Sequence, residues 1–252
     1  MSDPARRTSS EELLLARISA AAGRERLGRR RATYAAAAHT ARRARGKALT
    51  APGVRGLLAL VRPGGFTRAA GPRDAARVDL YENGMTIAVK RRIHVVRYDT
   101  TSVSRTEPMR PGGGGRGGAA STLTDVDGER VVLRCEPEHG EAPEWWPEVE
   151  QEVIRAQLPR ALTALAGGER LAFGAVWLTR EEIGWGEVRA GWPRVRRLRS
   201  GPRSVGLDID GTWHDLGPGG PGIVNLPVLR ALVERLGRGP GERFHHEAEG
   251  ST

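Results

Sequence analysis

Apolar and polar residues alternate from residue 78 onward, and this alternation predicts a series of short strands. Val78–Tyr81 has the period of a half-buried strand, and a second strand is predicted over Met85–Val89. Between them lies Glu82-Asn83-Gly84, and Asn-Gly pairs adopt the two positive φ values of a type I′ hairpin turn. Further strands are predicted over Ile93–Tyr98 and around Val103.

The next apolar segments predict a hairpin followed by a helix. Leu123–Val126 and Arg130–Arg134 flank Asp127-Gly128, a second turn signal of the same kind. Residues 147–165 then repeat apolar positions at helical spacing. Pro159 lies inside this segment and is expected to kink or break the helix, because proline lacks the amide that the helical ladder needs.

A second strands-then-helix series follows Gly167-Gly168. The predicted strands are 171–173, 176–178, 192–198, 205–209 and 213–216, with a turn at Asp210-Gly211. The closing helix is expected to begin after Asn225, a good N-cap, with Pro227 in its first turn. Its apolar face consists of Leu229, Leu232, Val233 and Leu236.

The two series align as diverged copies of one unit. We match Tyr81 with Phe173, Tyr98 with Trp192, and the Asp-Gly pair at 127–128 with the pair at 210–211. The offset between copies shortens by about 11 residues over an interval that contains the glycine-rich segment 111–118. One additional loop in the first copy explains the difference, so the sequence predicts a tandem repeat.

The N-terminal segment predicts a basic helix. Ser9 and Glu12 have the spacing of a capping box, and apolar residues recur at helical spacing behind them. The helix is predicted over residues 9–32, and Ala35–Ala38 is expected to extend it. Residues 51–72 are rich in Gly, Pro and Arg, which is typical of a linker.

Antiparallel strands closed by one helix are the order of a pleckstrin-homology-like (PH-like) module. The segments Val78–Met85, His94–Asp99 and Phe173–Val195 also resemble an uncharacterised bacterial family of domain-of-unknown-function proteins with tandem PH-like modules. The resemblance implies a fold and assigns no activity. The predicted class is therefore α+β, with an arm and linker at 1–72, PH-like units at 73–166 and 167–237, and a disordered tail at 238–252.

Charge separates the N-terminal segment from the rest of the chain. The net charge is +10. Residues 1–70 carry 15 Arg or Lys against 4 Asp or Glu, whereas residues 71–252 carry 25 against 26. A basic arm on a neutral body attracts nucleic acid, anionic lipid or an acidic protein, and it also serves as a solubilising tail. The candidate contacts in the arm are Arg24, Arg26, Arg29, Arg30 and Arg31.

A second basic run lies in the second copy. Arg194, Arg196 and Arg197 are candidate contacts for an anionic ligand or a partner, and alternation places Arg194 and Arg196 on one strand face. The basic mouth of a PH-like module holds phosphoinositide-type headgroups in such an arrangement. The simpler interpretation is a solvated strand face.

Cysteine usage and hydropathy favour the cytoplasm. Cys135 is the only cysteine, so no intrachain disulfide forms, and its apolar neighbours predict a half-buried strand thiol. No run approaches the roughly 20 apolar residues of a membrane span. Glu11 and Glu12 follow the first arginines where a secretory signal would have its apolar core.

The candidate catalytic and metal motifs have simpler explanations. Asp208-x-Asp210-Gly211 lacks the remaining ligands of a calcium loop and is better explained as a hairpin turn. The glycine-rich segment lacks the Lys-Ser/Thr ending of a phosphate loop. Trp145 and Trp146 are expected to pack on the sheet with one ring partly exposed, and Trp177, Trp192 and Trp213 are expected in the core. His94 is expected to face solvent.

Together these observations predict a non-enzymatic interaction protein without cofactor or metal. Its body is expected to bind a protein or peptide, for example along a sheet edge. The alternatives are association of the basic N-terminal helix with an anionic membrane surface and non-specific binding of nucleic acid by the arm. No nucleophile, base and acid can be grouped from sequence alone, so an enzyme is the least favoured class.

Overall fold

The computed structural model describes residues 9–41, 74–106, 120–134, 145–200, 204–218 and 223–237. These residues form three helices and antiparallel sheets, a mixed α+β structure. No helix within these ranges is both long enough and apolar enough to cross a membrane.

The first half of the chain forms a seven-stranded antiparallel sheet preceded and followed by a helix. The sheet order is β4-β3-β2-β1-β7-β6-β5, so two meanders meet where β1 pairs with β7. The elements are α1 (Ser9–Arg24), β1 (Arg30–Ala41), β2 (Asp74–Tyr81), β3 (Gly84–Val89), β4 (Arg92–Arg97), β5 (Val103–Thr106), β6 (Ala120–Thr124), β7 (Arg130–Arg134) and α2 (Trp146–Ala166).

The strand β1 corrects the prediction for the N-terminal segment. The predicted helix ends at Arg24, and Ala35–Ala38 forms β-structure. The strand pairs with β2 from Arg30 to Ala38 and with β7 from Ala37 to Ala41. Residues 30–41 therefore belong to the first sheet, and a boundary at residue 72 is wrong because it separates β1 from both of its neighbours.

The helix α1 packs against this sheet. Ile18, Ala21 and Ala22 are buried, and the two alanines contact Leu27, Tyr81 and Val95 in a small cluster on the outer face of the sheet. The turn between α1 and β1 is held against the β2–β3 turn, because the Leu27 carbonyl accepts a hydrogen bond from the backbone N of Asn83 at 2.9 Å. The apolar side of α1 is thus covered by the sheet.

The second half repeats the strand order on a smaller scale. A four-stranded sheet, β11-β10-β9-β8, precedes a three-stranded sheet, β12-β13-β14, and a closing helix. The elements are β8 (Leu171–Phe173), β9 (Val176–Leu178), β10 (Glu182–Trp185), β11 (Val188–Gly191), β12 (Val195–Ser200), β13 (Ser204–Ile209), β14 (Thr212–Pro218) and α3 (Leu226–Gly237). The prediction missed β10 and β11, and Trp192–Arg194 is a 3₁₀ turn rather than part of a strand.

Both halves therefore consist of four strands, three strands and a closing helix. Tyr98 follows β4 directly and Trp192 follows β11 directly, so that matched pair occupies equivalent places. Tyr81 ends the second strand of its half whereas Phe173 ends the first, so that match is wrong. Thirteen residues, 107–119, join β5 to β6, against three, 201–203, between β12 and β13, and the glycine-rich segment lies in the longer connection.

The turns differ more than their sequences suggest. Asp210 and Gly211 have φ values of +51° and +83°, which confirms the two-residue hairpin turn between β13 and β14. Between β6 and β7 only Gly128 has a positive φ, within a five-residue loop. Neither Asn83 nor Gly84 has one. Glycine is needed at position 84 for another reason, because a Cβ there would collide with the backbone of Val96.

The helix α2 runs through Pro159 without ending, so the predicted break is wrong. Its N-terminal tryptophans are both buried, which confirms their packing role but not the partial exposure of one ring. Trp145 stacks on Tyr34 of β1 with ring centroids 5.8 Å apart. Trp192 is buried as predicted, whereas Trp213 is 46% exposed and lies over Gly206 on the outer face of its sheet.

A buried polar network joins the two halves. Asn225, at the start of α3, has φ +53° and is almost fully buried. Its backbone N donates to the Val103 carbonyl at 2.7 Å, and its Oδ1 accepts from Val103 N at 2.6 Å. Its Nδ2 donates to Gln157 Oε1 at 3.0 Å. The side chain of the predicted N-cap thus binds β5 and α2, and one apolar core extends across both halves.

We expect removal of β1 to abolish folding of the first half. A chain that begins at residue 73 leaves β2 and β7 without their shared neighbour, exposing two strand edges. Far-UV circular dichroism and analytical gel filtration of this truncation should show lost β-structure and aggregation. A chain that begins at residue 9 is the control and should remain folded; a folded, monomeric 73–252 fragment would contradict the assignment of β1.

We expect Asn225→Ala to destabilise the protein by about 3 kcal/mol. The substitution leaves the buried amide of Val103 unsatisfied, and such groups cost roughly 1–3 kcal/mol each, in addition to the strain of alanine at positive φ. Asn83→Ala is the matched control, since the exposed Asn83 makes one long hydrogen bond of 3.4 Å. Urea unfolding of both variants measures the difference, and equal midpoints would refute a structural role for the network.

Candidate functional site

A buried histidine faces two carboxylates at the edge of the first sheet. His94 of β4 is 3% exposed, which corrects the expectation that it faces solvent. Its Nδ1 lies 2.8 Å from Oδ2 of Asp125 and 3.9 Å from Oε2 of Glu129. Its Nε2 lies 3.2 Å from Oγ1 of Thr40 in β1. We call these four residues the His94 cluster.

The loop between β6 and β7 positions the carboxylates. Asp125 Oδ1 accepts hydrogen bonds from the backbone N of Asp127 at 3.0 Å and of Glu129 at 2.7 Å. Oδ2 is thereby directed toward His94. Val126 N donates to the Val95 carbonyl at 2.9 Å and attaches the loop to the outer edge of β4. Arg92 lies 3.1 Å from Glu129 Oε2. The cluster is therefore held by both backbone and side-chain contacts.

Two kinds of chemistry are compatible with this arrangement. Thr40 contacts His94, which contacts Asp125, and this series of contacts is that of a hydroxyl, a base and an orienting acid. A hydrolytic site also needs oxyanion donors and a substrate pocket next to the hydroxyl, and Thr40 is not among the residues that line the nearby groove between α1 and β4. The second kind is metal binding, because His94, Asp125 and Glu129 each offer a ligand atom and these three atoms lie within 4.8 Å of one another.

A groove of about 540 Å³ runs beside this cluster, between α1 and β4. Its floor is apolar, with Ile93 and Val95 on β4 and Val126 on the loop. Its helix side is lined by Arg17, Ala20, Ala21, Arg24 and Glu25, and Asp127 stands on the loop side. The loop that supplies two carboxylates to the His94 cluster thus also forms one wall of the groove.

One face of α1 presents a continuous exposed stripe, and its residues from Arg17 onward line the groove. Leu13, Arg17, Ala20 and Arg24 recur at spacings of four, three and four residues, so they share a face of α1. All four are exposed, and Leu13 is 63% exposed although it is a large apolar side chain. Arg17 Nη2 donates to the Arg91 carbonyl at 3.1 Å and keeps the helix beside the β3–β4 turn.

Arg97 attaches the other end of α1 to the sheet. Its Nη1 donates to the Glu25 carbonyl at 2.8 Å, and its Nε and Nη2 each lie 3.0 Å from the Asp99 carboxylate. The hydrogen bonds from Arg97 hold the pKa of Asp99 below its usual value, and Arg160 adds to the effect. Two arginine contacts therefore hold α1 beside the sheet, one from Arg17 near the middle of the helix and one to Glu25 just after its C-terminal end.

The structure disperses the basic residues predicted for the N-terminal arm. Only Arg24 lines the groove. Arg31 binds Glu152 of α2 at 2.7 Å, which raises the pKa of Arg31, and Arg30 lies 3.6 Å from the buried Asp79. Arg26 adopts φ +53° in the turn after α1, and Arg29 is exposed just before β1. These five residues do not form one surface.

The basic run of the second half is partly neutralised. Arg194 lies 2.7 Å from Asp210, and Arg197 lies 3.4 Å from Asp208. Arg194 belongs to the 3₁₀ turn, and β12 has a register shift after Val195, so the strand alternation expected for Arg194 and Arg196 is not observed. Arg196 is exposed on β12.

Sequence reasoning missed Arg17, Ile93 and Val126, and it did not group His94 with its carboxylates. Val126 and Ile93 had been assigned to strands without regard to which side they face, and only the approach of the β6–β7 loop to β4 brings them together. Other predictions lie outside the described residues. They concern Cys135, the glycine-rich segment 111–118, the linker at 51–72 and the tail at 238–252.

No family model and no curated protein matches this chain. Function is therefore inferred from the His94 cluster and the groove themselves.

We expect Asp99→Asn to reduce the loss of unfolding free energy as the pH is lowered. The folded pKa of Asp99 is lower than its unfolded pKa, so its contribution is complete above the unfolded value and is lost as pH falls through the folded one. Unfolding free energies measured from about pH 6 down to pH 3 should fall less steeply for the variant than for the wild type. Parallel profiles would show that the Arg97–Asp99 pair contributes nothing to acid sensitivity.

Proposed function

We propose that this protein is an interaction module that binds an acidic, partly apolar peptide segment of a protein partner in the groove between α1 and β4. The observation that carries the proposal is the exposed stripe of Leu13, Arg17, Ala20 and Arg24 above an apolar floor. We further propose that each half is a PH-like unit. Four strands, three strands and a closing helix in both halves support that assignment.

The shape and chemistry of the groove favour a peptide chain over a small molecule. It is not an enclosed cavity, and charged side chains of α1 and of the β6–β7 loop line it together with the apolar Ile93 and Val126. Ala20 and Ala21 are small and allow a peptide backbone to approach closely. Arg17 and Arg24 are separated by about 10 Å along the helix, at 1.5 Å per residue, and suit two carboxylates of an extended segment.

Addition of a strand to the sheet edge is less favoured than binding by side chains. The outer edge of β4 already uses the Val95 carbonyl to hold Val126, and α1 covers the adjacent face. Strand addition requires a free row of backbone donors and acceptors. The partner segment is therefore expected to lie against α1 and the loop, with its apolar residues on Ile93 and Val126.

The two alternatives have weaker support. Membrane insertion of α1 would need its apolar side, but Ile18, Ala21 and Ala22 are buried against the sheet, and Leu14 and Leu15 are half-buried, which leaves Leu13 as the large apolar residue of α1 that is mostly exposed. Nucleic-acid binding by the arm would need clustered arginines, whereas Arg30 and Arg31 point to Asp79 and Glu152. An electrostatic membrane contact through Arg17 and Arg24 remains an outcome that the test distinguishes.

The proposal predicts that peptides selected from a random display library on the full chain are enriched in Asp and Glu next to large apolar residues. Fluorescence polarisation with a selected peptide should show at least about a tenfold loss of affinity for the double variant Arg17→Glu, Arg24→Glu, because like charges now face each other. Affinity for the wild type should also fall with added salt.

The matched control is Arg196→Glu, which reverses one exposed arginine on the opposite half of the molecule and should leave peptide binding unchanged. Vesicles of neutral lipid and of neutral lipid with phosphatidylserine are tested in parallel. Selected peptides without acidic bias, or equal binding to the double variant, would overturn the proposal. Binding to the anionic vesicles that is lost in the double variant would favour the membrane alternative instead.

A further inference from the structure

We propose that the His94 cluster is a binding site for a first-row divalent transition metal, of the type represented by Zn²⁺. The ligands are His94 Nδ1, Asp125 Oδ2 and Glu129 Oε2, whose ligand atoms lie within 4.8 Å of one another. This assignment does not depend on the peptide-binding proposal, because it uses different side chains and a different readout.

The burial of the cluster suits an ion that enters from one side. The side chains of His94 and Asp125 are 3% and 2% exposed, whereas that of Glu129 is 42% exposed. Two ligands are therefore fixed inside the protein and the third stands at the surface. The remaining coordination positions face the Glu129 side, where water molecules complete the shell, as in open metal sites.

Each ligand is oriented by a contact of its own. In the tautomer protonated at Nε2, His94 offers the lone pair of Nδ1 to the metal and donates its N–H to Thr40 Oγ1, 3.2 Å away. Asp125 Oδ1 is occupied by two backbone amides, which leaves Oδ2 for the metal. Arg92 holds Glu129. Partners of this kind are what fixes ligand geometry in metal sites.

The donor set selects among metals. One imidazole nitrogen and two carboxylate oxygens favour Zn²⁺ and its neighbours over Ca²⁺ and Mg²⁺, which prefer all-oxygen shells. His94 Nδ1 and Asp125 Oδ2 are 2.8 Å apart in the metal-free protein and make a direct hydrogen bond. Metal entry replaces this bond by two metal–ligand bonds, so the ligands need to move apart only slightly. Nδ1 gives up its proton to solvent, and in the neutral ring Nε2 takes one up and donates it to Thr40 Oγ1.

The site also explains the form of the β6–β7 loop. The equivalent turn of the second half needs only two residues, Asp210-Gly211, whereas this loop has five and turns two of its three carboxylates, Asp125 and Glu129, toward His94. A bound ion would tie Asp125 and Glu129 to His94. Val126 and Asp127 lie between them, so the ion would also fix one wall of the groove.

The experiment titrates Zn²⁺ into the full chain by isothermal calorimetry. All samples carry His245→Ala and His246→Ala, which removes the tail pair as a competing site. We expect one equivalent bound in the presence of excess Mg²⁺. Asp125→Asn and Glu129→Gln should each weaken binding about 100-fold, and Thr40→Val about tenfold, since it removes only the acceptor for Nε2–H.

Asp210→Asn is the matched control, because it changes an exposed carboxylate in the corresponding turn and should leave the affinity unchanged. Co²⁺ replaces Zn²⁺ for spectroscopy: paramagnetic shifts of the His94 ring and the amides of residues 125–129 are expected, without a thiolate charge-transfer band. Absence of Zn²⁺ binding would overturn the proposal, as would equal affinity of Glu129→Gln and the parent. Because Glu129 is half-exposed, that variant is informative even if Asp125→Asn does not fold.

Discussion

The pairing of β1 with β2 on one side and with β7 on the other is the constraint on which the first half of this protein depends. Without it, the two meanders β2–β4 and β5–β7 would be separate ribbons with exposed edges. The alanines of β1 let neighbouring elements approach closely, and Tyr34 contacts Trp145 from the same strand. Arg31 adds an ion pair to Glu152, so β1 also orients α2 against the sheet.

Both candidate sites follow from this arrangement. The curvature of the sheet brings Thr40, at the end of β1, to the ring of His94 on β4, although β2 and β3 separate the two strands in the sheet order. It also brings the β6–β7 loop to the edge of β4, which creates the groove floor. The helix α1 leads into β1 through a short turn, so its exposed stripe is placed along that same edge. The groove and the His94 cluster thus both result from the approach of neighbouring elements to the edge of β4.

The parts of the fold that local signals determine were predicted well. Strands beside clear turns, such as Val205–Ile209 with Asp210-Gly211, and helices with strong apolar faces, such as α3, appear as expected. The strand β1 was missed because alanine favours helices intrinsically, and pairing with two neighbours overrode that preference. The contacts of Asn225, Glu152 and Asp125 could not be predicted either, because their partners are 31 to 124 residues away in the chain.

The two halves differ in the elements that form the groove and the His94 cluster. If both descend from one unit, the second half differs where the groove lies in the first: the helix before its four-stranded sheet is α2, which packs in the main apolar core, and β11 carries no histidine. Its last hairpin closes in two residues, too short to turn carboxylates back onto a neighbouring strand. Two of its arginines, Arg194 and Arg197, pair with Asp210 and Asp208. The sequence alone pointed to the second half as the place for a charged ligand. The contacts favour the first half instead, because its β6–β7 loop and its helix α1 place charged side chains beside β4.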